Sequence, residues 1–167
     1  VYNVSACPKW VSRYVFKITS EFLVLTTFSF SQSDYLTILT HAPAAAVKAL
    51  AEETLPSLGD VQVLINRTGL VMLPYTDSAE GTIFHLGEVL VSEAHIELAS
   101  GVQGYALCTG RDLVQSLAIA VLDAALTANI QTEKLQAFLQ EQAQLQAAAD
   151  DVLLRKVEAT RVEMETF

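Results

Sequence analysis

Positive charge is scarce in this 167-residue chain: 10 Lys and Arg stand against 19 Asp and Glu, for a formal net charge of −9. A surface that acidic repels nucleic-acid backbones and anionic lipids, so neither is expected as a partner. Free polyphosphates are repelled too, unless another chain supplies the cations. Cysteine is just as sparse. Cys7 and Cys108 are the only two, far apart and without metal-ligand or redox spacing, so both read as free thiols in a reducing cytosol. Long apolar runs are missing as well. The stretch from Phe22 to Phe30 is interrupted by Thr and Ser and is too short to span a bilayer. Lys9, Arg13 and Lys17 resemble the lead-in of a secretory signal, but Glu21 intrudes and no A-x-A cleavage site follows. No glycine loop of the phosphate-cradling kind occurs, and Ser92 and Ser116 lack a nucleophile-elbow context.

What is present is apolar: 51% of residues are hydrophobic, enough for one domain with a real core and against intrinsic disorder. Residues 1–33 differ from the remainder. They hold three basic residues and one acidic, while the other seven basic and eighteen acidic residues leave residues 34–167 at −11. The leader reads most simply as a start placed too far upstream. An accessory strand built on Trp10, Tyr14, Phe16 and Ile18 is the competing reading.

The globular part is expected from Asp34, read as the N-cap before Tyr35, Leu36, Ile38 and Leu39. An Ala-rich helix follows from Pro43 to Glu53, with Pro43 in its first turn and Pro56, Ser57 and Gly59 closing the region. The period then changes. Val61 to Asn66, Gly69 to Tyr75, Thr82 to Leu86, Val89 to Leu98 and Tyr105 to Thr109 read as five strands. Turn chemistry at Thr68-Gly69, Asp77 to Gly81, Gly87 and Gly101 to Gly104 separates them, and such short connections favour antiparallel hairpins. In the fourth, Leu90, Ala94, Ile96 and Leu98 share one face and Val91, Glu93, His95 and Glu97 the other. In the second, both faces are apolar, so both need a cover from this chain's helices or from another subunit.

Helical spacing returns after Gly110. Val114, Leu117, Ala118, Val121, Leu122 and Ala125 form a stripe that Ile119 and Leu126 widen. So broad an apolar surface in a small chain suggests that the helix needs a partner. A long helical segment runs from about Thr132 to Thr160, either as one arm or as two helices folded back. The fold class is therefore α+β, with N-terminal helices, an antiparallel sheet of about five strands and a long C-terminal helical segment.

Several segments in order resemble one family: Thr68-Gly69-Leu70-Val71-Met72, Phe84-His85-Leu86-Gly87-Glu88, Gly104-Tyr105, Gly110-Arg111-Asp112 and Leu122-Asp123-Ala124-Ala125-Leu126. Upstream, Tyr35 to Pro43, and near the end Ala159 to Glu163, also fit. Together they resemble PhnG, a subunit family of the carbon–phosphorus lyase core complex. Tyr35 departs from the family's usual Trp, and Met164-Glu165 stand where aromatics are usual. The resemblance implies a cytoplasmic hetero-oligomer with homologues of PhnI, PhnH, PhnJ and PhnL. It implies a multi-subunit transferase that joins an alkylphosphonate to the ribose anomeric carbon of ATP and releases adenine. ATP is then a co-substrate of the complex, the chain binds no cofactor of its own, and no catalytic residue carries over to it.

Two constellations invite chemistry. Gly110-Arg111-Asp112 lies where a strand gives way to a helix, whose first amides attract anions, with Arg111 as a bidentate grip. The simpler reading makes Gly110 the turn and Asp112 the cap, paired with Gln115 in a capping-box-like arrangement, and leaves Arg111 for an intersubunit ion pair. His95 with Glu93 or Glu97, joined by His85 from a neighbouring strand, suggests a metal. Alternating polar residues are also what a wetted strand face carries, and no metal is expected. Gly110, Arg111, Asp112, Glu88 and His95 are thus the substrate-binding or interface candidates. Asp150-Asp151 reads as a solvated helix face. A freestanding helical or coiled-coil interaction protein is the alternative function, and an independent small enzyme acting through His95 the third.

Overall fold

The computed structural model describes residues 30–161. The proposed accessory strand, Cys7, most of the leader and the segment from Val162 lie outside the described residues.

Two helices open the described chain. α1 runs Gln32–His41 and starts earlier than the sequence suggests, because Ser31 is the N-cap and Asp34 is its third helical residue. The two form a reciprocal capping box, so Asp34 supplies the acidic half rather than the cap itself. α2 spans Ala44–Leu58, with Pro43 as the N-cap and Pro56 inside the last turn. It therefore runs one turn past the expected end at Glu53, since a proline in the final turn forfeits only one internal hydrogen bond.

Among the described residues the sheet has three strands, not five, in the order β1-β2-β3. β1 is Val61–Thr76, β2 is Ile83–Leu98 and β3 is Gln103–Thr109, all antiparallel. The first two expected strands fuse because Thr68 and Gly69 pair straight across to Ser92 and Val91 instead of turning. The next two fuse because Gly87 sits in a strand irregularity, where pairing steps from Leu73↔Gly87 to Pro74↔His85. One extra β2 residue is absorbed there, and the bulge also lets an edge strand accept the donor-less Pro74. The true turns are the remaining two. Asp77 exchanges backbone hydrogen bonds with Thr82 and Gly81, while Leu98 and Val102 close the second hairpin.

α3, Leu113–Thr127, is the hub of the core. Its nearly all-round apolar surface is covered from within, by β2 and β3 on one side and by α1, α2 and α4 on the others. The expected need for a partner at this helix is therefore not met. The helix stops where Asn129, at φ +57°, turns the chain. The Ile130 amide returns to the Ala125 carbonyl (2.9 Å) and the Asn129 amide to Leu126 (3.1 Å), a Schellman closure. α4 is one uninterrupted 28-residue helix, Thr132–Ala159. Leu135, Leu139 and Gln142 are buried against the body, and Gln146 donates to the Ile38 carbonyl at 2.9 Å. Leu145 beside it, and Val152, Leu153, Leu154 and Val157 beyond it, are exposed.

The closest helix–sheet approach is set by Gly104. A Cβ there would stand 2.1 Å from the Ala120 carbonyl oxygen and 2.8 Å from the Ala124 Cβ. This contact brings the Tyr105 amide within 2.9 Å of the Asp123 carboxylate. Asp123 is fully buried in α3 and also accepts from the Tyr35 hydroxyl (2.6 Å) and from Gln32 Nε2 (3.1 Å). One carboxylate thus ties α1, α3 and β3 together, and each donor answers a lone pair that burial would otherwise strand.

Candidate partner interface

All four helices among the described residues lie on one side of the sheet. On that side Ser92, Ala94, Ile96 and Leu98 of β2 and Gly104, Ala106 and Cys108 of β3 are buried. No described element packs over the other side, which carries Arg67, Glu93, His95, Gln103, Tyr105 and Leu107. The bare face is organised. Arg67 Nε donates to Glu93 Oε2 at 2.8 Å, and the Tyr105 hydroxyl donates to Glu93 Oε1 at 3.2 Å. His95 meets Gln103 at 3.3 Å and stands edge-on to the Tyr105 ring, centroids 6.1 Å apart. The Arg67 hydrogen bond is the main reason the Glu93 carboxyl is held below its usual range. Partial burial, followed by the charge of Glu93, pushes the Tyr105 phenol up.

The sheet is also longer than the body that supports it. β3 ends at Thr109, opposite Val91, so β1 from Gly69 and β2 before Val91 continue as a two-stranded ribbon. About eight residues at 3.4 Å each carry it roughly 27 Å beyond the core. Its side chains are apolar and uncovered on both faces. Leu70, Val71, Met72, Leu73, Tyr75, Ile83, Phe84 and Leu86 are each 44–73% exposed. Near its tip Tyr75 and Phe84 meet edge to face at 5.6 Å. The sequence requirement for a cover over both faces stands, and no helix among the described residues provides it. Two-stranded ribbons are marginal in water, and nothing among the described residues covers this one.

The five candidate residues fall into two groups. Gly110 donates its amide to the Leu90 carbonyl at 2.8 Å, which puts the Gly110-Arg111-Asp112 turn at the root of the arm. Glu88 lies two residues, about 7 Å, farther along β2 and is exposed opposite Met72. Asp112 caps α3, its Oδ1 accepting from the amides of Val114 (3.2 Å) and Gln115 (3.0 Å). Its Oδ2 takes Lys48 Nζ at 2.6 Å, and that hydrogen bond leads the causes that hold the Asp112 carboxyl below its usual range. The helix N-terminus is thus already answered by a carboxylate of its own. Arg111 is exposed and joins none of the ion pairs found among the described residues. His95 lies on the opposite face of the sheet from Glu88.

His85 does not approach His95 from a neighbouring strand. Both lie on β2, ten residues and about 30 Å apart, because the two strands expected there are one. Among the described residues no group of three or more His, Cys, Asp or Glu side chains is placed to hold a metal ion. Cavities are shallow. An apolar groove of about 140 Å³ runs between α2 and α3 beside Leu55, Val114 and Leu117. A hollow of about 470 Å³ lies on the bare sheet face between Arg67, Glu93, Tyr105 and Leu107. No helix among the described residues is long and apolar enough to cross a membrane.

Sequence reasoning passed over the residues that matter most for the geometry. Asp123 is the sole charged residue between Leu113 and Thr127, and a lone carboxylate in a wholly apolar helix is the signal that marks it as a buried acceptor. The backbone clearance at Gly104 has no such signal in composition.

None of the curated proteins compared with the chain matches it. The family model described as phosphonate metabolism protein PhnG matches residues 31–167, which takes in the capped start of α1, the three strands, the arm and both later helices. The chain belongs to the PhnG family of phosphonate metabolism proteins.

Proposed function

We propose that this protein is an accessory, non-catalytic subunit of a carbon–phosphorus lyase assembly, working with homologues of PhnI, PhnH, PhnJ and PhnL in the cytoplasm. The single observation that carries the reading is the apolar hairpin arm, uncovered on both faces. Eight large apolar side chains at these exposures offer on the order of 900 Å², comparable to one side of a standard protein–protein interface. Monomeric proteins rarely leave so much contiguous apolar surface to water.

In the reaction of such an assembly, an alkylphosphonate oxygen attacks the ribose anomeric carbon of ATP. The glycosidic C–N bond breaks and adenine leaves with the bonding electrons. ATP is the co-substrate of the whole complex, and this chain contributes position rather than a reacting group. The acidic surface, −9 in all, fits a role away from the triphosphate, because the cations that hold it then come from other subunits. Arg111 and Glu88, at the arm's root, serve as contacts to those neighbours.

Co-expression with the PhnI and PhnH homologues tests the reading. The chain alone is expected in the insoluble fraction or as aggregates, and with its partners as one defined soluble complex. Failure to co-purify with them refutes it. The exposed distal half of α4 supports a second reading, a helical self-association arm. That reading predicts a soluble oligomer of this chain alone, which removal of residues 148–167 returns to monomer.

A further inference from the structure

We propose that the hairpin arm seats between the two walls of an apolar cleft in a different protein chain, with basic groups at the cleft's closed end. The inference rests on the partner-dependent reading above and goes further, because it fixes the shape and charge of the surface that receives the arm.

The two faces of the arm are equally apolar and equally bare. Leu70 and Met72 point to the side where the helices lie, Val71 and Leu73 to the other, and exposure runs from 44% to 62% across the four. Docking on a flat surface would cover one set and leave the other wet. A single wall therefore does not account for the sequence. Layers that pack on a sheet sit about 10 Å from it, so a receiving cleft has walls about 20 Å apart.

Charge indicates what stands at its end. No Lys or Arg occurs between Arg67 and Arg111, while the arm and its turn carry Asp77, Glu80 and Glu88. The turn acids are at the tip, and the Asp77 side chain already accepts the Glu80 amide at 3.0 Å, which fixes that carboxylate in place. A cleft that takes the tip in must offer positive groups there.

A second copy of this chain does not fit. Its net charge is −9, so it would bring acids to acids. Among its described residues, the apolar groove between α2 and α3 has a volume of about 140 Å³, well below a two-walled cleft.

The test uses the adjacent residues Val71 and Met72, which face opposite walls. Val71→Cys and Met72→Cys are made separately, co-expressed with the other subunits of the complex, and labelled with a maleimide in the assembly and in the isolated chain held soluble as a fusion to a cysteine-free carrier. The parent chain serves as control for its own cysteines. The cleft predicts that both positions label at least about tenfold more slowly in the assembly than in the isolated chain. Protection of only one position overturns the cleft and leaves complex membership standing. Protection of neither removes the arm from the interface. Protection in the carrier-fused chain that grows with its concentration and accompanies a discrete dimer, not aggregates, names a second copy as the occupant and overturns the proposal. A parent chain that joins no complex refutes both readings. For the basic end, Asp77→Lys with Glu80→Lys is expected to weaken assembly by about tenfold or more, and an unchanged affinity rejects that part.

Discussion

Replacing Gly104 with alanine adds one carbon where the structure has no room for it. The new Cβ would lie 2.1 Å from the Ala120 carbonyl oxygen and 2.9 Å from the Ala124 amide nitrogen. Both are backbone atoms of α3, so no side chain can swing aside and β3 must withdraw from the helix. Overpacking of this kind costs about 1–3 kcal/mol. Withdrawal also lengthens the 2.9 Å bond from the Tyr105 amide to Asp123, and a lost hydrogen bond to a charged group adds about 1.5–3 kcal/mol. Together the loss is about 4 kcal/mol. With a urea slope of about 2 kcal/mol per molar, the unfolding midpoint falls by about 2 M. Pulse proteolysis across a urea series reads this on a gel band and tolerates a solubilising carrier. Gly69→Ala is the internal control, since no atom lies within 4 Å of its added Cβ and its midpoint should barely move. Adding Ala124→Gly to Gly104→Ala should recover only part of the loss, because the Ala120 carbonyl remains in the way. A Gly104→Ala midpoint within about 0.3 M of the parent would refute the packing argument.

Other outcomes follow from the same geometry. Asp123→Ala strands the Tyr35 hydroxyl and the Tyr105 amide and should cost about 3–5 kcal/mol, against about 1.5–3 kcal/mol for Tyr35→Phe, both read as urea midpoints. Burial, then the hydrogen bond to Asp123, pushes the Tyr35 phenol well above its ordinary value. The associated stability is complete below about pH 10 and declines as pH rises further, because the unfolded chain then releases a proton that the folded one keeps. Tyr35→Phe should flatten that alkaline decline. At the acid end the sign reverses. Asp112 is held low, chiefly by the Lys48 hydrogen bond, so its contribution is present above about pH 4 and disappears as pH falls through the lowered value. Lys48→Ala should therefore flatten the acid limb of the midpoint-against-pH curve, and an unchanged limb would contradict the pairing. In the arm, Val71→Glu should leave the chain's own unfolding midpoint within about 0.5 kcal/mol of parent while abolishing co-purification with partner subunits.

Much of this architecture is legible from periodicity. The stripe from Val114 to Ala125 became α3 with Asp112 as its cap, and the pattern from Thr132 became a single helix ending at Ala159. The alternation of Ala94, Ile96 and Leu98 against Glu93, His95 and Glu97 marked the buried and open faces of β2 correctly. The two strand errors share one cause. Thr68-Gly69 and Gly87 carry local turn chemistry, but pairing along a sixteen-residue partner strand overrode it. Ser31 lies in the basic leader, whose charge differs from that of the domain, and this masks its box with Asp34, an ordinary helix-start signal. For the site, the double apolar face at Leu70 to Leu73 was readable and is the feature on which the proposed function rests. Asp123 carries a signal as the lone carboxylate of an apolar helix, but its donors and the clearance at Gly104 do not, since they come from the approach of β3 to α3, a contact between residues distant in the chain.

The central claim is that the exposed arm makes this protein dependent on other chains, and sedimentation of the purified chain with and without co-expressed partner subunits tests it most directly. The account predicts aggregates or insoluble material for the chain alone and a single discrete hetero-oligomer when the partners are present. A monodisperse 18.1 kDa monomer that stays soluble alone, with Val71 and Met72 both shielded from solvent, would contradict it.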